Sequence, residues 1–367
     1  EKQSLLTINA GVEVRFAAGT ALYVDGVLRA EGTEGKEVVF TSDKASPAPG
    51  DWQGIKIRDS SDDSLTLLSY SRVQYAQTGV FLSSASPSIA NSKIVYNYTG
   101  IGCSWSNAGP VVMNNLIEYN SNAGINLVCF GQSQVTGNII RHNGKGIDSA
   151  WVIKNNTITL NTYGIYMNSG GGATIGEISG NIVEGNTLTG IYLFGYPIGS
   201  PKPVSGNMVA NNGTSGSDAE HSGIYLKDFQ GTISNNTVIG NGNGIWNASG
   251  SYGANLTVTN NNIYGNIQYD FKHLRGEDLT VTGNYWGTTD AQSIATKVYD
   301  FYDKFDYGKL NYTPFLASHN TTAPPSPPTG LSATSSATSL TLSWAANPEG
   351  DIAGYKLYYD TKTGPPY

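Results

Sequence analysis

Asp218, Glu220 and His221 fall within four consecutive positions of the stretch GTSGSDAEHS, between Asn212 and Gly223. Two carboxylates beside an imidazole can hold a metal ion or pass protons as acid and base. Their spacing matches no specific metal motif, and a solvated loop is the leading account of them. A second set is Tyr166, Tyr192, Tyr225 and Trp246, each directly after a Gly-Ile pair. Aromatic rings facing solvent at regular intervals offer a platform for sugar rings. Rings stacked on one another would instead stabilise their own sheet, by about 0.5–1.5 kcal/mol per pair. That second account leads, and no residue is assigned a catalytic role.

Both sets need a scaffold that repeats. The unit [VI]-x-[NG]-N-x-[IV]-x-x-N, followed by Gly-Ile, recurs along most of the chain. One Asn column reads Asn115, Asn138, Asn156, Asn181, Asn207, Asn236, Asn261 and Asn284, with Ser92 one repeat earlier; the other reads Asn97, Asn120, Asn143, Asn161, Asn186, Asn212, Asn241 and Asn266. Gly79 opens a glycine column that ends at Gly244, 165 residues and seven steps later, about 24 residues per repeat. That period is typical of solenoids. Apolar residues alternate with polar ones in short runs, the signature of strands rather than helices. Three short strands and three turns per repeat predict a right-handed parallel β-helix, since parallel crossovers take that hand. Asn suits its corners, because it tolerates left-handed backbone and its amide can hydrogen-bond the next turn. Gly supplies a tight corner and Ile fills the interior.

The repeats resemble those of the pectate-lyase-like superfamily. LLTINAGVEVRFAAGTALYVDGVLRAEGTEGKEVVFTSD with GDWQGIKI resembles the opening coils of exported bacterial β-helix proteins, and GNYWGTTD with VYDFYDKFDYGKLNYTPFL their closing segment. The resemblance spans roughly residues 5 to 317 and speaks for fold more than activity, because the superfamily holds lyases, hydrolases, epimerases, adhesins and structural members. For a uronate lyase it implies an Arg facing the substrate carboxylate and a basic residue to take the proton. The candidates are Arg141, with Lys145, Lys154 and Asp148 nearby, although a surface ion pair is the leading account of Glu118 and Arg141. The clustered acidic residues of calcium-dependent lyases, the paired Asp of pectin hydrolases and their Gly-His-Gly turn are absent from the sequence. His142 falls in a column with Tyr75, Tyr96 and Tyr119, as a packed ring. Ile294, Val298, Phe301 and Tyr302 have helix spacing, which predicts a short amphipathic helix over 289–304 closing the C-terminal end. Asp300, Asp303 and Asp306 beside it suggest calcium, but a solvated cap is the leading account; no cofactor is otherwise expected.

The β-helix is expected over 1–317, a Pro/Ser/Thr linker over 318–329 and a partial fibronectin type III domain over 330–367. Leu340, Leu342 and Trp344 alternate as its B strand, and Tyr355, Leu357 and Tyr359 as its C strand. Forty-three residues from Pro325 are under half of such a sandwich, about 100 residues, so the natural chain is expected to continue. The net charge is −7 and no Lys/Arg-rich run occurs, which argues against a nucleic-acid partner. No apolar stretch reaches the ~18 residues of a membrane span. A secreted or cell-surface location, with any signal peptide already removed, fits the resemblance. Extended-strand geometry puts the Cα atoms of Cys103 and Cys129 about 8 Å apart, beyond the disulfide limit of roughly 7 Å, so two buried free thiols are expected. The leading function is a non-catalytic extracellular β-helix that binds polysaccharide. A lyase or hydrolase acting on acidic polysaccharide beside the 213–222 loop is the alternative. A self-associating structural adhesin or filament subunit is the third.

Overall fold

The computed structural model describes residues 4–168, 176–195, 202–248, 250, 255–350 and 352–355. The chain winds as a right-handed parallel β-helix of about eleven turns. Each turn lays one short strand into each of three parallel sheets. The first sheet runs from Leu5–Asn9 to Leu256–Thr259, the second from Glu13–Phe16 to Asn262–Tyr264, and the third from Ala21–Val24 to Val298–Tyr299. Like residues stand over like. Ile94, Ile117, Ile140, Ile158, Val183 and Val209 are register partners in the second sheet, and all are fully buried. β-branched side chains suit a pleated surface, and each such burial stabilises by about 1.5–3 kcal/mol. The interior is one continuous apolar column along the axis.

Two files of amides rivet the corners. From Asn115 to Asn284, each backbone N–H and each Nδ2–H donates to the Oδ1 of the Asn one turn on, at 2.9–3.0 Å. A parallel file runs from Asn97 to Asn266 at 2.8–3.1 Å. It ends on the buried carboxylate of Asp270, which accepts from both nitrogens of Asn266. One expectation is corrected here. The left-handed backbone belongs to the residue before each amide, as at Asn114 (φ 56°), Tyr119 (φ 57°) and His142 (φ 55°). The tasks divide because an amide turned inward to bond the next turn cannot also form the exposed bend.

The glycine column is likewise required for a different reason. A Cβ on Gly100 would lie 2.3 Å from the carbonyl oxygen of Gly124, and one on Gly164 would lie 2.4 Å from that of Gly190. These glycines are needed because the next turn's backbone presses on them, not because of φ.

At the C-terminal end the helix is only Ala291–Ala295, capped by the Asp290 side chain, with Ile294 buried. Val298–Tyr299 is instead the last strand of the third sheet, paired with Phe271–Lys272. An unpaired strand edge offers β-prone residues more hydrogen bonds than a lone helical turn does. Asp300 is buried and accepts from the N–H groups of Tyr302 and Leu310 at 3.0 and 2.7 Å, while Asp303 accepts from Asp300 N and Asp306 pairs with Lys304. Among the described residues no group of three or more His, Cys, Asp or Glu is placed to hold a metal ion.

Part of the expected linker is docked on the β-helix. Asn320 bonds Asn262, Asn235 and the Asn260 carbonyl, and Thr237 donates to the Pro324 carbonyl. The compact units are Glu1–Pro324 and Pro325–Tyr367. In the second, Thr329–Ser335 pairs antiparallel with Leu340–Ala345 and Trp344 packs edge-on against Tyr355. Leu357 and Tyr359, expected in a further strand, lie outside the described residues.

Cys103 and Cys129 form a disulfide with Cα atoms 6.1 Å apart, against the expectation of free thiols. Cys103 pairs in register with Leu127. The chain then bends, Cys129 N–H donating to the Leu127 carbonyl at 2.8 Å. That three-residue turn shortens the separation which an extended strand would have kept too long.

Candidate functional site on the outer face of the third sheet

Outward positions of the third sheet align turn by turn as Lys56, Phe81, Gly102, Asn126, Asp148, Tyr166, Tyr192, Tyr225, Trp246, Lys272 and Tyr299. The four aromatic residues singled out in the sequence are therefore consecutive neighbours. Their rings face each other. Tyr166 and Tyr192 stack at 4.5 Å and 11°, Tyr192 and Tyr225 at 4.5 Å and 12°. Tyr225 and Trp246 are buried, in a cluster completed by Ala248, Tyr192, Ala219 and Leu274. Lysines cover the ends of the row. Lys145 Nζ sits 4.0 Å from the Tyr166 ring centre, and Lys272 Nζ 4.2 Å from that of Trp246. Each such cation–π contact contributes about 0.5–2 kcal/mol. Burial, with the Tyr166 and Tyr225 phenols next to it, raises the Tyr192 phenol above its usual range. Ring faces here are largely occupied, and what Tyr166 and Tyr192 offer to solvent is their edges.

The 213–222 loop comes to the same place. Ala219 packs on the Tyr225–Trp246 cluster. His221 Nδ1 lies 2.6 Å from Asp218 Oδ1, and that bond holds the Asp218 carboxyl below the usual carboxylate range. Burial, followed by the Glu220 carboxylate, pushes the Tyr163 phenol up to about 12. The structure thus joins the candidate loop to the candidate aromatics, although the Asp218 side chain itself is 72% exposed. A second insertion of equal length, FGYPIGSPKP between Leu193 and Val204, is expected beside this loop, but its residues 196–201 lie outside the described residues.

The remaining candidates are spent on packing. Arg141 pairs with Glu118 at 2.8 Å with side chains only 13% and 9% exposed, so the pair is nearly sealed rather than a solvated surface bridge. Lys145 holds Asp148 at 2.8 Å and Lys154 holds Glu177 at 3.4 Å. Tyr75, Tyr96, Tyr119 and His142 stack at 6.0, 5.2 and 4.8 Å, as a column of packed rings.

Sequence reasoning passed over Trp105 and Phe130. They are 61% and 54% exposed and tilt toward each other at 6.2 Å, directly beside the disulfide. Trp105 lies four residues after the inward Ile101, at a left-handed corner (φ 50°) that Ser84 and Asp228 hold in other turns. A large ring in a column of small or polar residues is the signal that aligning the turns brings out.

Residues 48–175 and 148–286 match a family model described as right handed beta helix region. No curated protein matches the chain.

Proposed function

The chain belongs to the right-handed β-helix family, and from that premise we propose that it is an exported protein that binds polysaccharide without cleaving it. The observation that carries this reading is the register of the third sheet's outer face. Amides, phenol edges and lysines follow one another there at the ~4.8 Å spacing of paired strands. A sugar chain lying along the axis would meet a new side chain at each turn. Its hydroxyls would find Asn126, Asp148, Lys145 and the edges of Tyr166 and Tyr192, with Tyr225 and Trp246 packed behind as support. Loop residues Asp218 and Glu220 would flank this track. The disulfide favours an oxidising compartment, in line with secretion or display at the cell surface and with the resemblance to pectate-lyase-like proteins. The hairpin of the second unit supports a fibronectin type III module that would serve as tether.

Affinity electrophoresis in gels containing neutral and acidic polysaccharides tests the reading. Retardation in at least one gel is expected; unchanged mobility in all of them removes it. The Asp218–His221 contact favours a second reading, a lyase or hydrolase in which the carboxylate orients the imidazole as a base. New reducing or unsaturated ends that vanish in His221→Ala, with binding retained, would favour the enzyme over the binding protein.

A further inference from the structure

Between Phe81 and Asn126 the outward column of the third sheet is interrupted by Gly102. The gap opens a recess of about 290 Å³ bounded by Thr78, Phe81, Thr99, Trp105 and Asn126. Packing does not demand this glycine. A Cβ there would meet Thr78 Cγ2 at 3.4 Å and Asn126 O at 3.6 Å, ordinary contact distances. At Gly100, two residues earlier, a Cβ would be driven to 2.3 Å from a carbonyl oxygen. The missing side chain at Gly102 keeps space open instead of avoiding a clash.

The walls of that space have a definite chemistry. No lining residue carries a charge. Trp105 is 61% exposed although it sits in left-handed backbone, a conformation that costs a non-glycine residue roughly 1–3 kcal/mol. Phe130, 54% exposed, stands beside it. Among the described residues the Thr78 hydroxyl and the Asn126 amide make no side-chain hydrogen bond, and the Thr99 hydroxyl accepts one from Asn122 at 3.1 Å. The disulfide ties the turn bearing Trp105 to the turn bearing Phe130, since Cys103 lies two residues before the one and Cys129 one residue before the other. The aromatic rim is therefore held by a covalent bond as well as by the Trp105 N–H to Val128 carbonyl contact at 3.0 Å.

We infer that this recess is a binding site for a neutral saccharide, an uncharged stretch of sugar chain. The apolar face of a sugar ring would lie on Trp105, while its hydroxyls would exchange hydrogen bonds with Thr78, Thr99 and Asn126. Such a mixture, apolar walls with a few placed polar groups, is the usual make-up of small-ligand sites, and the volume is at their lower bound of about 300 Å³. An acidic sugar would enter with no cation among the lining residues to receive its carboxylate. The inference rests on the polysaccharide-binding reading and narrows it to one end of the face and one class of ligand.

The test uses the whole chain and soluble neutral polymers, a β-glucan and a galactomannan, with polygalacturonate as the acidic comparison. Calorimetry or affinity electrophoresis reads the binding, and circular dichroism with thermal melting reads the fold. Trp105→Ala is expected to weaken binding of at least one neutral polymer tenfold or more, and Gly102→Leu, which fills the recess, to abolish it, both with an unchanged melt. The Cys103→Ser, Cys129→Ser double variant is expected to weaken binding severalfold. Neutral-polymer binding that survives Trp105→Ala and Gly102→Leu overturns the recess and leaves the wider reading standing. Binding confined to polygalacturonate does the same. No binding of any polymer by the native chain overturns both. A dimer that dissociates on Trp105→Ala overturns the saccharide in favour of a second copy of the chain.

Discussion

The two halves of the third sheet's outer face use aromatic residues in opposite ways. From Tyr166 to Trp246 the rings stand in consecutive turns and close on each other, 4.5 Å apart where Tyr192 meets its neighbours. Around Gly102 the next turn sets Phe130 6.2 Å from Trp105 and tilted by 55°, so neither ring covers the other and both stay open. In a solenoid, pointing outward does not make a side chain available. Availability depends on what stands one turn up and one turn down. A run of aromatics at the same position works as an extra strip of core, whereas tilted, unstacked rings beside a glycine leave their faces to solvent.

Stability should separate the halves most sharply. Trp246→Ala removes a buried indole and is expected to cost about 4 kcal/mol in chemical denaturation. Trp105→Ala should stay within about 0.5 kcal/mol of the native chain, as exposed substitutions do. Equal losses at the two sites would break the contrast. Next in size is the disulfide, which closes a loop with a sequence separation of 26. Its removal by the double Cys→Ser variant should cost about 3 kcal/mol, read as a lower midpoint that thiol reductants reproduce in the native chain.

The third effect lies at the other end of the β-helix, where the Asn file ends on Asp270. Burial pushes the Asp270 carboxyl from 3.8 up to about 6. The folded state therefore holds a proton that the unfolded state has released between these values. The contribution is fully present below pH about 4 and is lost as pH rises through about 6, on the order of 3 kcal/mol. Asp270→Asn should flatten that slope and stabilise the protein at neutral pH; a slope unchanged in the variant would place the titration elsewhere. The smallest effect concerns the loop. Glu220→Gln should lower the Tyr163 phenol from about 12 toward its ordinary 10.0, visible in an ultraviolet pH titration with little change in the melt.

The files of Asn and the glycine column were legible in the sequence because every turn imposes the same constraint, so the same residue recurs at the same step. What each does was less legible. Asn114 and Asn115 are adjacent and chemically identical, yet one forms the bend and the other the rivet. The disulfide was missed because strand spacing was carried past Leu127, where the chain turns. The helix over 289–304 was overread because an apolar spacing cannot reveal that Phe271–Lys272 leaves an edge awaiting Val298–Tyr299. Of the candidate site, the alignment of the aromatic positions in one column followed from the repeat, but whether a ring face is covered depends on neighbours about 24 residues away. Trp105 breaks the pattern of its column, and a search for repeats passes over what does not repeat.

The glycine column also sets how such a molecule can change in length. Any turn between Gly79 and Gly244 presents the same bare backbone to the one above it, so copying a turn within that span leaves both joints intact. Asp270 occupies the glycine position in the last turn, and the strand laid over it is only two residues long. Middle turns can therefore be copied or removed with their joints kept, whereas past Asp270 the next strand lies over a residue that carries a side chain.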